Sequence, residues 1–169
     1  MRRLIVPLLF LATSANASLS VLVYDINTGH HIVSENAEVV RPVASITKLM
    51  TAIVVLNAHQ DLTEELTLNF KNSRIYHTKL PRTLKTLSRG ELLQLAIVKS
   101  DNFAAYHLCS SYTGGVASCV QAMNNKAQNL GMTSTVYTDP TGLEATNIST
   151  ARDLVKLIIM AKTYPEIVD

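Results

Sequence analysis

Val43-Ala44-Ser45-Ile46-Thr47-Lys48-Leu49-Met50-Thr51-Ala52 is the stretch on which the reading of this chain turns. Ile53, Val54, Val55 and Leu56 carry its apolar pattern on to about Ala58, which predicts a helix burying one face. Pro42 suits the entry to a helix and not its interior. Ser45 then stands at the helix start, and Lys48, three residues on, shares its face. That pairing has chemical meaning. A serine hydroxyl is a poor nucleophile until a neighbouring base takes its proton, and a lysine serves when burial lowers its pKa. A helix N-terminus adds a free N–H and the positive end of the dipole for a developing oxyanion. Taken alone, Ser-x-x-Lys is more often an N-cap serine followed by a solvated lysine.

Upstream, Val21-Leu22-Val23-Tyr24-Asp25 reads as a strand, Asn27-Thr28-Gly29 as a turn and His31-Ile32-Val33 as a second strand, so a hairpin precedes the serine helix. His30 and His31 at its tip are adjacent, a poor spacing for a metal site, and no His-Glu-x-x-His occurs. Residues 1–17 carry the marks of a secretory signal. Arg2-Arg3 is a positive start, residues 4–12 a short apolar run, and Ala15-Asn16-Ala17 a small-x-small cleavage pattern that makes Ser18 the expected mature start. The apolar run is too short to span a bilayer, and export is the one membrane connection expected.

Downstream, residues 61–70 suggest a short strand or irregular structure, and 71–87 a surface loop with scattered basic residues. Ser88-Arg89-Gly90-Glu91 is a capping-box pattern, and the run Leu92, Leu93, Leu95, Ala96, Ile97, Val98 behind it is apolar nearly all round, which predicts a central buried helix. It ends at Lys99-Ser100-Asp101-Asn102, with a second helix from Phe103 to about Ser110. Polar groups at the junction of two apolar helices are either caps or groups held toward a cleft. A further helix is expected over 115–130 with Gly131 after it, then a turn at Asp139-Pro140-Thr141-Gly142, then a helix capped by Thr150 and Asp153 and stopped at Pro165. Cys109 and Cys119 flank Gly114-Gly115. An oxidising compartment permits a disulfide closing that turn, with two buried thiols as the alternative.

The 169 residues are 47% hydrophobic and 17% charged, ordinary for one globular domain. Without Arg2 and Arg3 the 15 basic residues become 13, equal to the 13 acidic ones. With no basic run and no aromatic-interleaved basic patch, nothing points to a nucleic-acid partner.

Ser45-x-x-Lys48 opening a helix behind a hairpin, then Ser100-Asp101-Asn102 roughly fifty residues on, resembles the penicillin-recognising serine enzymes. The wording of residues 43–52, of 123–132, of Asp139-Pro140-Thr141-Gly142-Leu143 and of Ser149-Thr150-Ala151-Arg152-Asp153-Leu154 is similar to the low-molecular-mass D-alanyl-D-alanine carboxypeptidases and endopeptidases, the endopeptidase branch above all. The resemblance runs from about residue 20 to the end. It implies an α/β (α+β) fold of the β-lactamase/transpeptidase type, represented here by the N-terminal hairpin plus a helical cluster, with later sheet strands absent. It implies Ser45 as acylated nucleophile, Lys48 as its base, Ser100 as proton relay to the leaving amine, and Asn102 as substrate holder that helps position Lys48. The implied substrates are peptidoglycan stem peptides, with β-lactams as inhibitors, no cofactor and a periplasmic location.

One element of the family pattern does not match. Its third motif, Lys-Thr-Gly, has no counterpart after Asn102: Lys162-Thr163-Tyr164 has tyrosine in place of glycine, and Lys85-Thr86-Leu87 comes too early. The expectation is therefore that residues 18–169 form the N-terminal portion of a D,D-peptidase domain, weakly stable and weakly active by itself. Three other readings stand beside the peptidase: a non-catalytic penicillin-binding remnant, a serine β-lactamase with Glu144 as the deacylating base, and a structural helical protein in which both motifs are caps.

Overall fold

The computed structural model describes residues 19–168, apart from the side chains of residues 72–74. The expected signal segment 1–17 lies outside the described residues. The chain opens with the antiparallel hairpin β1 (Val21–Tyr24) and β2 (His31–Glu35), whose turn is held by the Asp25 carboxylate accepting from Asn27 N–H and Thr28 Oγ1. The short strand β3 (Arg41–Pro42) leads into a 3-10 turn, Ala44–Ile46, and then α1 (Thr47–Asn57). Pro42 thus ends a strand, where its fixed φ is tolerated and no N–H is required of it.

The short strand expected within 61–70 forms, and the segment 71–87, expected to be a surface loop, holds more structure than its composition suggested. β4 (Glu65–Thr67) pairs antiparallel with β5 (Thr86–Ser88), and between them lies the short helix α2 (Ser73–Tyr76). Three-residue strands carry too little alternation to register as a periodic pattern. β5 runs directly into α3 (Arg89–Val98) through the expected capping box: Ser88 Oγ accepts from Glu91 N–H at 3.2 Å and Glu91 Oε2 accepts from Ser88 N–H at 2.8 Å. α4 (Asn102–Ser110) and α5 (Gly115–Asn129) follow, joined by the Cys109–Cys119 disulfide. β6 (Ile148–Ser149) pairs with β3, α6 (Ala151–Ala161) follows, and Pro165 opens the short α7 (Pro165–Val168).

The helix buried on both sides is α1, not α3. One side of α1, through Met50, Ile53 and Val54, packs against Cys119, Met123 and Ala127 of α5 and Leu157 of α6. The other, through Ala52 and Val55, packs against Leu92, Leu93 and Ala96 of α3 and Phe103, Ala104 and Leu108 of α4. The unbroken apolar run 52–56 is the sequence cause. A helix with one wet face would need polar residues in that run. Met50, Ile53 and Val55 are each 0% exposed, and each contributes about 1.5–3 kcal/mol of apolar transfer. By contrast, α3 leaves Val98 69% exposed, and Leu95, Ile97 and Val98 line an open groove of about 580 Å³ with Leu80, Leu87 and Ile167. α1, buried on both sides, is the fixed post on which the site is mounted.

Candidate active site

The β3–β6 pair brings two distant segments together at the N-terminal end of α1. Arg41 lies opposite Ser149 and Pro42 opposite Ile148, and Val43 N–H donates to Asn147 O at 3.0 Å. The chain then passes Ala44 with φ +43, in the left-handed region that an alanine adopts only at a cost of about 1–2 kcal/mol. That turn places Ser45 exposed at the mouth of α1 while Lys48, one turn on, is only 2% exposed. The Lys48 Nζ donates to Ser45 Oγ at 3.0 Å and to the Thr141 carbonyl at 2.7 Å. Burial pushes the Lys48 amine below the ordinary lysine range, and the Asp139 and Asp101 carboxylates pull it partly back. A desolvated amine in hydrogen-bond reach of a hydroxyl is the geometry in which the neutral amine accepts the hydroxyl proton.

Across the cleft, Ser100 sits between α3 and α4 with φ +52, a second non-glycine residue in the left-handed region. The capping reading of this junction goes to its neighbour: Asp101 Oδ1 accepts from Ala104 N–H at 2.9 Å, and Asp101 Oδ2 from Thr78 Oγ1 at 2.8 Å. With Asp101 as the cap, Ser100 is left to the cleft. Ser45, Lys48 and Ser100 line one hollow of about 320 Å³ together with Ile46, Leu49, Ala96, Ile97 and Ile158. Asn102, the first residue of α4, is half-buried and is not among the lining residues. Among the described residues no hydrogen bond joins it to Lys48.

Four residues to which the sequence reading gave no role in the site, Asp139, Thr141, Gly142 and Asn147, belong to it. The loop 139–143 crosses the N-terminal end of α1 and is tied to it by Thr51 Oγ1 donating to Pro140 O at 2.7 Å. Asp139 Oδ1 accepts from Thr141 N–H at 2.6 Å, Thr141 Oγ1 at 2.5 Å and Gly142 N–H at 2.9 Å. Asn147 is 0% exposed: its Nδ2 donates to Thr47 Oγ1 at 3.0 Å and to Asp139 O at 2.9 Å, and its Oδ1 accepts from Thr138 N–H at 2.7 Å. Gly142 has φ +80, and a Cβ there would fall 1.9 Å from Ala44 O, so only glycine permits this approach. The Asp-Pro-x-Gly string signalled a turn. Its targets on α1, 89 and 93 residues away, carry no local signal.

Among the described residues no group of three or more His, Cys, Asp or Glu side chains is placed to hold a metal ion. An activatable serine, a desolvated lysine and a facing serine in an apolar-walled cleft are the parts of an acyl-transfer site.

The profile of the D-alanyl-D-alanine carboxypeptidases, peptidase family S11, matches residues 11–168. The chain belongs to this family. A D-alanyl-D-alanine endopeptidase of Escherichia coli (strain K12) is 44% identical over 152 residues, which is 88% of this chain and 49% of that protein. Penicillin-binding protein D2 of Listeria monocytogenes, solved in its cefotaxime-bound form, superposes with a TM-score of 0.72 at 30% identity, covering 86% of this chain and 62% of that one. A mutant of the Streptomyces K15 DD-transpeptidase superposes with a TM-score of 0.78 at 26% identity, covering 86% and 61%. The fold is that of these enzymes over the part they share. The chain spans about half the length of the endopeptidase it matches.

Proposed function

We propose that this chain is a serine-type D-alanyl-D-alanine peptidase of the endopeptidase type, acting on peptidoglycan stem peptides. The observation that carries the reading is the desolvated Lys48 amine 3.0 Å from Ser45 Oγ. Ser45 Oγ attacks the carbonyl of the penultimate or cross-linked D-alanine while its proton passes to neutral Lys48. The oxyanion gathers at the positive end of α1. Ser100 relays a proton from the lysine to the leaving amine, the C–N bond breaks, and an acyl-enzyme remains on Ser45. Water then takes the acyl group and restores the hydroxyl. Asn102, which opens α4 two residues after Ser100 and outside the hollow, is assigned the substrate amide by the family resemblance alone. A β-lactam follows the same first step, but its amine stays tethered after ring opening, and the ester persists. The E. coli relative's endopeptidase name and the β-lactam held by the Listeria neighbour support substrate and inhibitor class.

Export through residues 1–17 to the periplasm completes the reading. The Cys109–Cys119 bond supports an oxidising compartment. The test is incubation of the chain with cross-linked muropeptide dimers, and separately with a stem peptide ending in D-alanyl-D-alanine. Conversion of dimer to monomer that is lost in Ser45→Ala supports the endopeptidase reading. Release of terminal D-alanine alone would move it to a carboxypeptidase. A stable penicillin ester on Ser45 with no processed muropeptide would instead mark a chain that binds without turnover.

A further inference from the structure

The loop 139–147 does more than close a turn, and the chain of bonds shows how. Lys48 Nζ has two partners, Ser45 Oγ and the Thr141 carbonyl. These differ in kind. A hydroxyl both donates and accepts, whereas a carbonyl only accepts. When Lys48 is neutral it has two N–H donors and one lone pair. The Thr141 carbonyl always takes an N–H, so its position decides where the lone pair points. That carbonyl is in turn fixed from both sides. The Asp139 carboxylate holds Thr141 N–H, Thr141 Oγ1 and Gly142 N–H, and Leu143 N–H donates to Thr141 Oγ1 at 3.1 Å. Asn147 then clamps the backbone of residue 139 to Thr47, the residue before Lys48 on α1. Loop and base are therefore tied at both ends of one short span.

We infer that Asp139 and Asn147 are positioning residues for the Lys48 base, aiming its lone pair at Ser45 by holding the Thr141 carbonyl on the opposite side of the amine. The inference rests on the reading of Ser45 and Lys48 as nucleophile and base. Asp139 also sets the charge around the amine. It and Asp101 are the carboxylates acting on Lys48, and both favour the ammonium form. The one loop thus both orients the base and limits how far burial lowers its pKa.

Two substitutions separate these effects. Asp139→Asn keeps an acceptor for Thr141 N–H and removes the charge. Asp139→Ala removes both. The readouts are the titration of Lys48 followed by its 13Cε shift in lysine-labelled full-length chain, and the rate of Ser45 acylation by a fluorescent penicillin across pH, with binding and acylation constants resolved. For Asp139→Asn the Lys48 midpoint and the alkaline-rising limb of acylation both move to lower pH, with the plateau rate within about threefold of the parent. For Asp139→Ala the plateau acylation rate falls on the order of 10–100-fold while the binding constant holds, as expected of a misaimed group. A Lys48 midpoint unchanged in Asp139→Asn, or a plateau rate unchanged in a folded Asp139→Ala, overturns the inference. If Asp139→Ala does not fold, the Asp139→Asn midpoint decides. If the parent chain is not acylated at all, the acyl-transfer reading fails by itself, and the Lys48 titration still decides whether Asp139 acts on the amine.

Discussion

Gly142→Ala is the substitution whose cost can be worked from the structure. The new Cβ would stand 1.9 Å from Ala44 O and 2.4 Å from Ala44 C, where an ordinary contact begins at 3.4 Å. Something must move by about 1.5 Å, and both neighbours are backbone rather than flexible side chain. The φ of +80 adds about 1–2 kcal/mol for any residue with a Cβ. Overpacking of this kind adds about 1–3 kcal/mol. The expected loss is therefore about 2–5 kcal/mol, or roughly 4–20 °C in Tm for a chain of this length. The clash falls on the residue before Ser45, so the nucleophile moves with it. A displacement near 1 Å costs on the order of 10²-fold in rate. Thermal melting by circular dichroism, with penicillin labelling measured well below the variant's Tm, reads both. A Tm within about 2 °C of the parent together with equal labelling would refute the claim that this glycine sets the nucleophile turn.

Lys48→Met replaces a buried amine by an apolar chain of similar length; labelling of Ser45 should fall about 10²–10⁴-fold while urea melts stay within about 1.5 kcal/mol of the parent. His107 accepts from Asn69 N–H through Nε2, and burial holds its pKa below the ordinary value of 6.5. A group depressed in the fold contributes stability that is complete above 6.5 and is lost as pH falls through the lower folded value. Urea midpoints should therefore drop below pH 6.5, and His107→Gln should flatten that part of the curve; equal slopes in the two proteins would argue against it. Reduction of Cys109–Cys119, which closes a loop of 10 residues, should cost about 2–3 kcal/mol, seen as a lower Tm with reductant and an insensitive Cys109→Ala/Cys119→Ala pair.

What the sequence made legible was local. Ser45 and Lys48 are three apart across the 3-10 turn and the start of α1, and the Ser88–Glu91 box closes within one turn, so spacing alone brought them into reach. Ser100 and Asn102 came from a motif; in the structure Asp101 caps α4, Ser100 lines the hollow and Asn102 does not. The Asp139–Asn147 clamp was not legible, because Asn147 meets Thr47 across one hundred residues and nothing near either marks the partner. The same holds for the pairing of β4 with β5, each three residues long, which needs the intervening chain to fold back. The two-sided burial of α1 and the wet edge of α3 were assigned the wrong way round for a related reason. Apolar content says how much a helix can bury, but the number of neighbours around it is a property of the assembled fold.

The most direct measurement is intact-protein and peptide mass spectrometry of the chain after exposure to benzylpenicillin. A single covalent adduct mapped to the peptide containing Ser45, absent from Ser45→Ala and forming faster as pH rises, is the result expected of a serine activated by a desolvated lysine. An adduct that persists in Ser45→Ala, or no adduct on a chain shown to be folded, would contradict it.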